Sequence, residues 1–303
     1  MRPIPLAVTA AALMAAACDR RPDPIPVDPA EHARAVEAFV AARNAELRAP
    51  DSWLSLIGLY WLEPGVTTVG SAPDNGIVLP EKAAPRVGTL TVDSAAVRWR
   101  TEPGVVVTQD VDSALAVEEA DLTADLGPGR SVVLRHGDLN WIVIQRGGRW
   151  ALRLRDNASP VYAAFHGVER YPTSVAWRFT ARWVPHEKTV SVPNVLGMVS
   201  EERSPAALEF IVGGERKSLD VVGQPGQGGY TLVFADATSG NETYGGGRFL
   251  GVDGPDEQGR VVLDFNYAYN PPCVWTPYAT CPLPTRDNRL DIRVEAGEKN
   301  WAH

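Results

Sequence analysis

After Pro50, apolar and polar positions alternate in short runs separated by glycine, proline, asparagine and aspartate. Alternation at period two is the pattern of strands with one buried face. It predicts strands at Val66–Val69, Gly76–Leu79, Gly88–Val92, Ala96–Arg100, Val105–Thr108 and Leu115–Glu118. Further runs lie at Ser131–Arg135, Leu139–Gln145, Trp150–Arg155, 177–192, 207–213 and 215–222. Tyr230–Ala235, Arg248–Val252, Arg260–Phe265 and Leu290–Val294 complete the series. No βαβ alternation interrupts it, so the expected fold is mostly β, an antiparallel sandwich or barrel-like sheets. One N-terminal helix precedes the strands. Asp28 is its N-cap, Pro29 takes the first position and Glu31 the third, a capping-box arrangement. Val36, Phe39, Val40 and Leu47 then recur on one face, and Pro50 stops the helix. Such a helix would lie across a sheet edge or face.

Composition supports this picture: 27 glycines and 25 prolines favour turns and short strands over long helices. The net charge of −8 and the lack of any basic run argue against nucleic acid as a partner. The first 18 residues read as an export signal, with Arg2 before an apolar stretch from Leu6 to Ala17 that is too short to span a bilayer. Leu13 to Cys18 resembles a bacterial lipobox with Cys18 as the lipidated residue, although Ala15 stands where leucine or valine is usual. Ordinary signal-peptidase cleavage, giving a soluble periplasmic protein, is the alternative. Residues 19–29 are proline-rich and charged and suit an extended tether to a membrane. Two regions follow: 30–125, with the helix and the first strands, and 126–303, with the polar segment described next. Cys273 and Cys281 form an even pair, which in an oxidising compartment suits a disulfide; two reduced thiols are the alternative. Zinc would need a second pair of ligands, so no metal or other cofactor is expected.

The candidate chemistry is concentrated between Asp236 and Cys281. There is no Gly-x-Ser-x-Gly elbow, Walker loop, His-Glu-x-x-His or EF-hand loop, and the five histidines stand singly. If Arg248–Val252 and Arg260–Phe265 form a hairpin, Arg248 falls opposite Asp264. Alternation then places Asp264 and Asn266 on one face, with Leu263 and Phe265 on the other. Two readings compete. In one, Arg248 and Asp264 are a structural clasp, with Asn266 and Asn270 satisfying loop backbone. In the other, Arg248, Asp264, Asn266, Tyr244, Tyr269 and Asn270 line a pocket for a small polar or carbohydrate-like molecule, walled also by Trp275. Asp236, Glu242 and Asp264 are the candidate catalytic carboxylates if the pocket is that of a hydrolase. A structural envelope lipoprotein with no small ligand is the third possibility.

Gly65 to Pro80 has the cadence of a forkhead-associated (FHA) strand pair. Ser71 stands where those phosphothreonine-binding domains carry arginine, and Pro85-Arg86-Val87-Gly88-Thr89 lacks their histidine, so any similarity is one of shape. The run from Asp236 to Leu250, Asp264 to Cys273 and Ala279 to Pro284 resembles the DUF1684 family of uncharacterised bacterial proteins. Ser52–Leu62, Asn288-Arg289-Leu290 and Ala296-Gly297-Glu298-Lys299 resemble it too, so that the likeness covers roughly residues 35–299. It implies a shared fold and a shared location for any site, and no reaction.

Overall fold

A computed structural model describes residues 22–93, 96–109, 115–125, 131–224 and 229–301. Residues 1–21 lie outside it, so the expected export signal and Cys18 do too. The fold is mostly β, with one long N-terminal helix and four open sheets rather than a closed barrel. Helix α1 spans Pro29–Arg48, and the Asp28 side chain caps it by accepting from the Glu31 N–H at 2.8 Å. Its buried face is His32, Val36, Arg43 and Leu47, so a histidine and an arginine share the expected apolar stripe.

Ten strands follow: β1 (Leu56–Trp61), β2 (Gly65–Gly70), β3 (Ile77–Val78), β4 (Gly88–Val92), β5 (Val97–Thr101), β6 (Thr108–Gln109), β7 (Glu119–Leu122), β8 (Leu134–His136), β9 (Leu139–Arg146) and β10 (Arg149–Asp156). They form two sheets in the orders β1-β10-β9-β8-β6 and β3-β2-β4-β5-β7. One core joins the two, centred on Trp99 and Trp141 with ring centroids 5.0 Å apart. This sandwich runs through the division expected at residues 125 and 126, because β8 to β10 pair with β1 and β6 and share their core.

After a short helix α2 (Pro160–Ala164), seven strands build a second unit: β11 (Arg178–Pro193), β12 (Val199–Val212), β13 (Glu215–Asp220), β14 (Val222–Gln224), β15 (Gly229–Phe234), β16 (Arg248–Val252) and β17 (Arg260–Asp264). Their sheets run β13-β12-β11-β17 and β14-β15-β16. Phe265 is the hub of the core between them, with ring centroids 5.2 Å from Phe234, 5.7 Å from Phe210 and 6.0 Å from Phe179.

The expected β16–β17 hairpin does not form. Strand β16 pairs with β15, placing Arg248 opposite Phe234, and β17 pairs with β11, placing Asp264 opposite Arg178. The connection closes on itself: Asp256 accepts from the Gln258 and Arg260 N–H groups and from the Arg260 guanidinium at 2.8–3.0 Å. It then passes from one sheet to the other. A hairpin would keep Leu250 and Leu263 in one sheet, whereas the crossing puts them in a shared core at 1% and 0% exposure.

The expected last strand, Leu290–Val294, is an irregular segment laid beside 235–237, through Leu290 N–H to Ala235 O and Ala237 N–H to Ile292 O, both 2.8 Å. The described part of the tether also has a place in the fold. Ile25 donates its N–H to Thr180 Oγ1 and accepts from Arg178 Nη1, both at 2.8 Å, so residues 22–28 lie against β11.

Candidate functional site

The polar run separates into three places. The first is an enclosed clasp. Arg248 has no exposed surface, and its Nη2 donates to Asp236 Oδ1 at 3.2 Å and to Val294 O at 3.0 Å, while Nη1 donates to Ala296 O. Asp236 Oδ2 accepts from Val294 N–H at 2.7 Å and from Thr238 Oγ1 at 2.9 Å. Burial pulls the guanidinium pKa down, and Asp236 opposes that. A sealed cation whose terminal donors end on a carboxylate and on the carbonyls of Val294, Ala296 and Glu298 presents no exposed face to a ligand. Arg248 therefore partners Asp236 and not Asp264, because β15 rather than β17 is its neighbour.

The second place lies where α1 meets the chain terminus. Glu298, 3% exposed, accepts from the Asn270 N–H at 2.7 Å and stands 3.5 Å from Arg43 Nε, an ion pair without hydrogen-bond alignment. Burial raises the pKa of its carboxyl. Asn270 donates through Nδ2 to Lys299 O at 2.7 Å, and the Arg43 guanidinium covers the Tyr269 ring at 5.1 Å. Tyr244 packs with Trp275 and Phe165 in a small apolar cluster. Glu242 sits apart at the surface: Arg293 at 2.5 Å and the Tyr171 hydroxyl at 2.8 Å hold its carboxyl below the usual range. Asn270, Tyr269, Tyr244 and Glu242 thus tie loops together rather than line one pocket.

The third place is open. A cleft of about 480 Å³ lies at the head of α1, between Val27, Glu31, His32 and Ala35 on one side and Arg178, Val252, Asp253, Val262, Asp264 and Tyr267 on the other. His32 Nε2 is 2.6 Å from Asp264 Oδ2, and both residues are 5% exposed on the floor. Asp264 Oδ1 accepts from Asn266 N–H at 3.0 Å and Nδ2 at 2.7 Å. Strand β17 ends at Asp264, so the two residues meet because Asp264 caps the helical turn Phe265–Tyr267 and not through the expected strand alternation. Arg178 Nε lies 4.0 Å from the same carboxylate. Sequence reasoning missed His32 and Arg178. His32 stands four residues before Val36 on the buried helix face, and Arg178 enters only through strand register.

Another set that resembles a catalytic triad fails on geometry. His186 Nε2 is 2.9 Å from Ser204 Oγ and 3.9 Å from Asp220 Oδ1, so serine and carboxylate share one ring nitrogen and no proton can pass across the ring. Ser204 is also fully buried. A concavity of about 410 Å³ lies between the N-terminal segment, at Pro22 and Pro24 to Val27, and a sheet face formed by Phe179, Arg182, Phe210 and Arg216. Cys273 and Cys281 stand at disulfide distance, with Cα atoms 6.2 Å apart. Among the described residues no group of three or more His, Cys, Asp or Glu could hold a metal, and no helix is long and apolar enough to cross a membrane.

No curated protein matches the chain. An uncharacterised protein of Haloarcula marismortui, solved by solution NMR, is 30% identical over 45% of this chain and 78% of its own, with a TM-score of 0.39. The FHA domain of FhaA is 16% identical over 32% of this chain and 97% of its own, with a TM-score of 0.22, and a second FHA structure gives the same identity and score over 92% of its length. Likeness at that level carries no argument about ligands. Residues 163–299 match the family described as protein of unknown function (DUF1684), a narrower span than the 35–299 expected from sequence motifs. That span holds Asp264, Arg178 and both cysteines and omits His32 and the first sandwich, and through it the chain belongs to the DUF1684 family.

Proposed function

We propose that the protein binds a small, hydroxyl-rich, carbohydrate-like molecule in the cleft at the head of α1. The observation that supports this reading is the floor of that cleft, where the His32–Asp264 pair and Arg178 offer donors and acceptors beside the Tyr267 ring. Arg178 is offset by Asp264, and Glu31 and Asp253 add negative charge at the rim, so a neutral ligand fits better than an anion. A hydrolase with paired carboxylates is less favoured, since Asp236 is enclosed and Glu242 is held ionised by Arg293. Thermal-shift measurements against neutral sugars, polyols and organic acids should find a saccharide that raises Tm. At a hundredfold excess over Kd the stabilisation is about 2.7 kcal/mol. Asp253→Asn, at the exposed rim, should weaken binding with the unliganded Tm unchanged. If no neutral saccharide gives a saturable shift, the structural alternative stands instead.

The same proposal places the protein in the cell envelope, anchored through lipid on Cys18, with Cys273 and Cys281 bonded by that oxidising compartment. Cys18→Ser should move the protein from the membrane to the soluble fraction. Alkylation without reductant should leave both remaining cysteines unmodified. An unchanged distribution would reject the anchor, and labelled cysteines would reject the bond.

A further inference from the structure

The first sandwich carries a concentration of arginine on the outer face of β1-β10-β9-β8 that the cleft does not use. Along β10, Trp150, Leu152 and Leu154 point into the core, so Arg153 and Arg155 share the opposite face, about 7 Å apart by strand geometry. Two carboxylates lie nearby, and both are already occupied. Asp125 takes a two-pronged contact from Arg146 at 2.7 and 2.9 Å. Asp51 is held by Arg135, by Asn140 Nδ2 at 2.7 Å and by Asn157 Nδ2 at 2.8 Å.

Arg153 is 5% exposed, and its nearest carboxylate oxygen is 3.9 Å away. It donates to Thr280 Oγ1 at 3.2 Å and stacks 5.3 Å over the Trp53 ring, while its buried Nε has no partner. The buried Nε of Arg155 likewise has no partner among the described residues. Across the ladder from Arg155 stands Asn140, fully buried, whose Oδ1 has no donor. Burial pulls the pKa of Arg153 to about 10, opposed only partly by Asp125, and that of Arg155 down as well. Two desolvated guanidinium groups without a hydrogen-bonded anion are costly on their own.

We infer that Arg153, Arg155 and Asn140 form a binding site for a phosphate-type oxyanion, at the place where Thr280 of the second unit meets the first sandwich. The two guanidinium groups would supply charge-assisted donors to its oxygens. Hydrogen phosphate also brings a P–OH donor for Asn140 Oδ1, which a fully deprotonated anion lacks. Arg155, the partly exposed member, gives access from solvent.

The test uses the full mature chain and inorganic phosphate at ionic strength matched with chloride. Tm should rise saturably with phosphate, and the 31P resonance should broaden on adding protein. Arg155→Gln should weaken the apparent affinity about tenfold or more, by loss of one charge-assisted contact. Arg178→Gln, in the cleft of the second unit, should leave the phosphate response intact. Absence of both the shift and the broadening, or a response unchanged in Arg155→Gln, would overturn the site; loss in Arg178→Gln alone would move it to the cleft.

Discussion

Arg248→Ala should lower the stability of the protein by about 3–5 kcal/mol, the range for removing one partner of a buried ion pair. For a chain of this size that is a fall in Tm of roughly 10 °C. The effect is large because the guanidinium does more than meet Asp236. It also collects the carbonyls of Val294 and Ala296, so its loss strands a buried carboxylate and frees the C-terminal segment at once. Arg248→Lys should recover part of the loss, since one ammonium cannot reach all of these acceptors in the same fork geometry. Chemical denaturation would check both variants. A melting temperature for Arg248→Ala within a degree of wild type would show that the clasp contributes little.

Gly297→Ala should be nearly as damaging, at about 2–5 kcal/mol, from left-handed backbone and overpacking together. Gly297 has φ of +76°, and a Cβ there would stand 2.5 Å from Ala268 O and 2.9 Å from Phe265 O. Both obstacles are backbone next to the aromatic hub, and neither can step aside without moving Asn270 or Phe265. Gly251→Ala provides the control. Its Cβ would meet nothing within 4 Å, and its φ lies outside the left-handed region, so its melting should match wild type. Equal melting for the two variants would reject the argument from close approach.

Local chemistry made much of the fold legible. The Asp28–Glu31 cap fixed the start of α1, and period-two runs marked most strands, since both signals are carried by residues close in sequence. The strand alternation expected through Asp264, Phe265 and Asn266 stops at Asp264, whose side chain instead caps the helical turn Phe265–Tyr267 through the Asn266 N–H. What could not be read was partnership across distance. Arg248 faces β15 and not β17 because two sheets bury more apolar surface than one hairpin, and nothing near Arg248 encodes that choice. The same limit hid the cleft: His32 and Asp264 are separated by 232 positions and meet only when α1 settles beside β17. The tail from Leu290 to Val294 was expected as a strand; it does run beside 235–237, but prolonged pairing gives way to contacts with Asp236 and Arg248.

The enclosure of the chain terminus also bears on the order in which the protein can be assembled. Helix α1 leaves the ribosome well before residues 264–298, yet Arg43 needs Asn270 and Glu298, and His32 needs Asp264. Arg248 and Asp236 wait for Val294 and Ala296. The helix is therefore made early and buried late, with contacts of long sequence separation closing last. A nascent chain that has not reached residue 298 cannot shut its second unit. For a protein proposed to cross a membrane, such delay keeps that half of the chain threadable until residue 298 has been made.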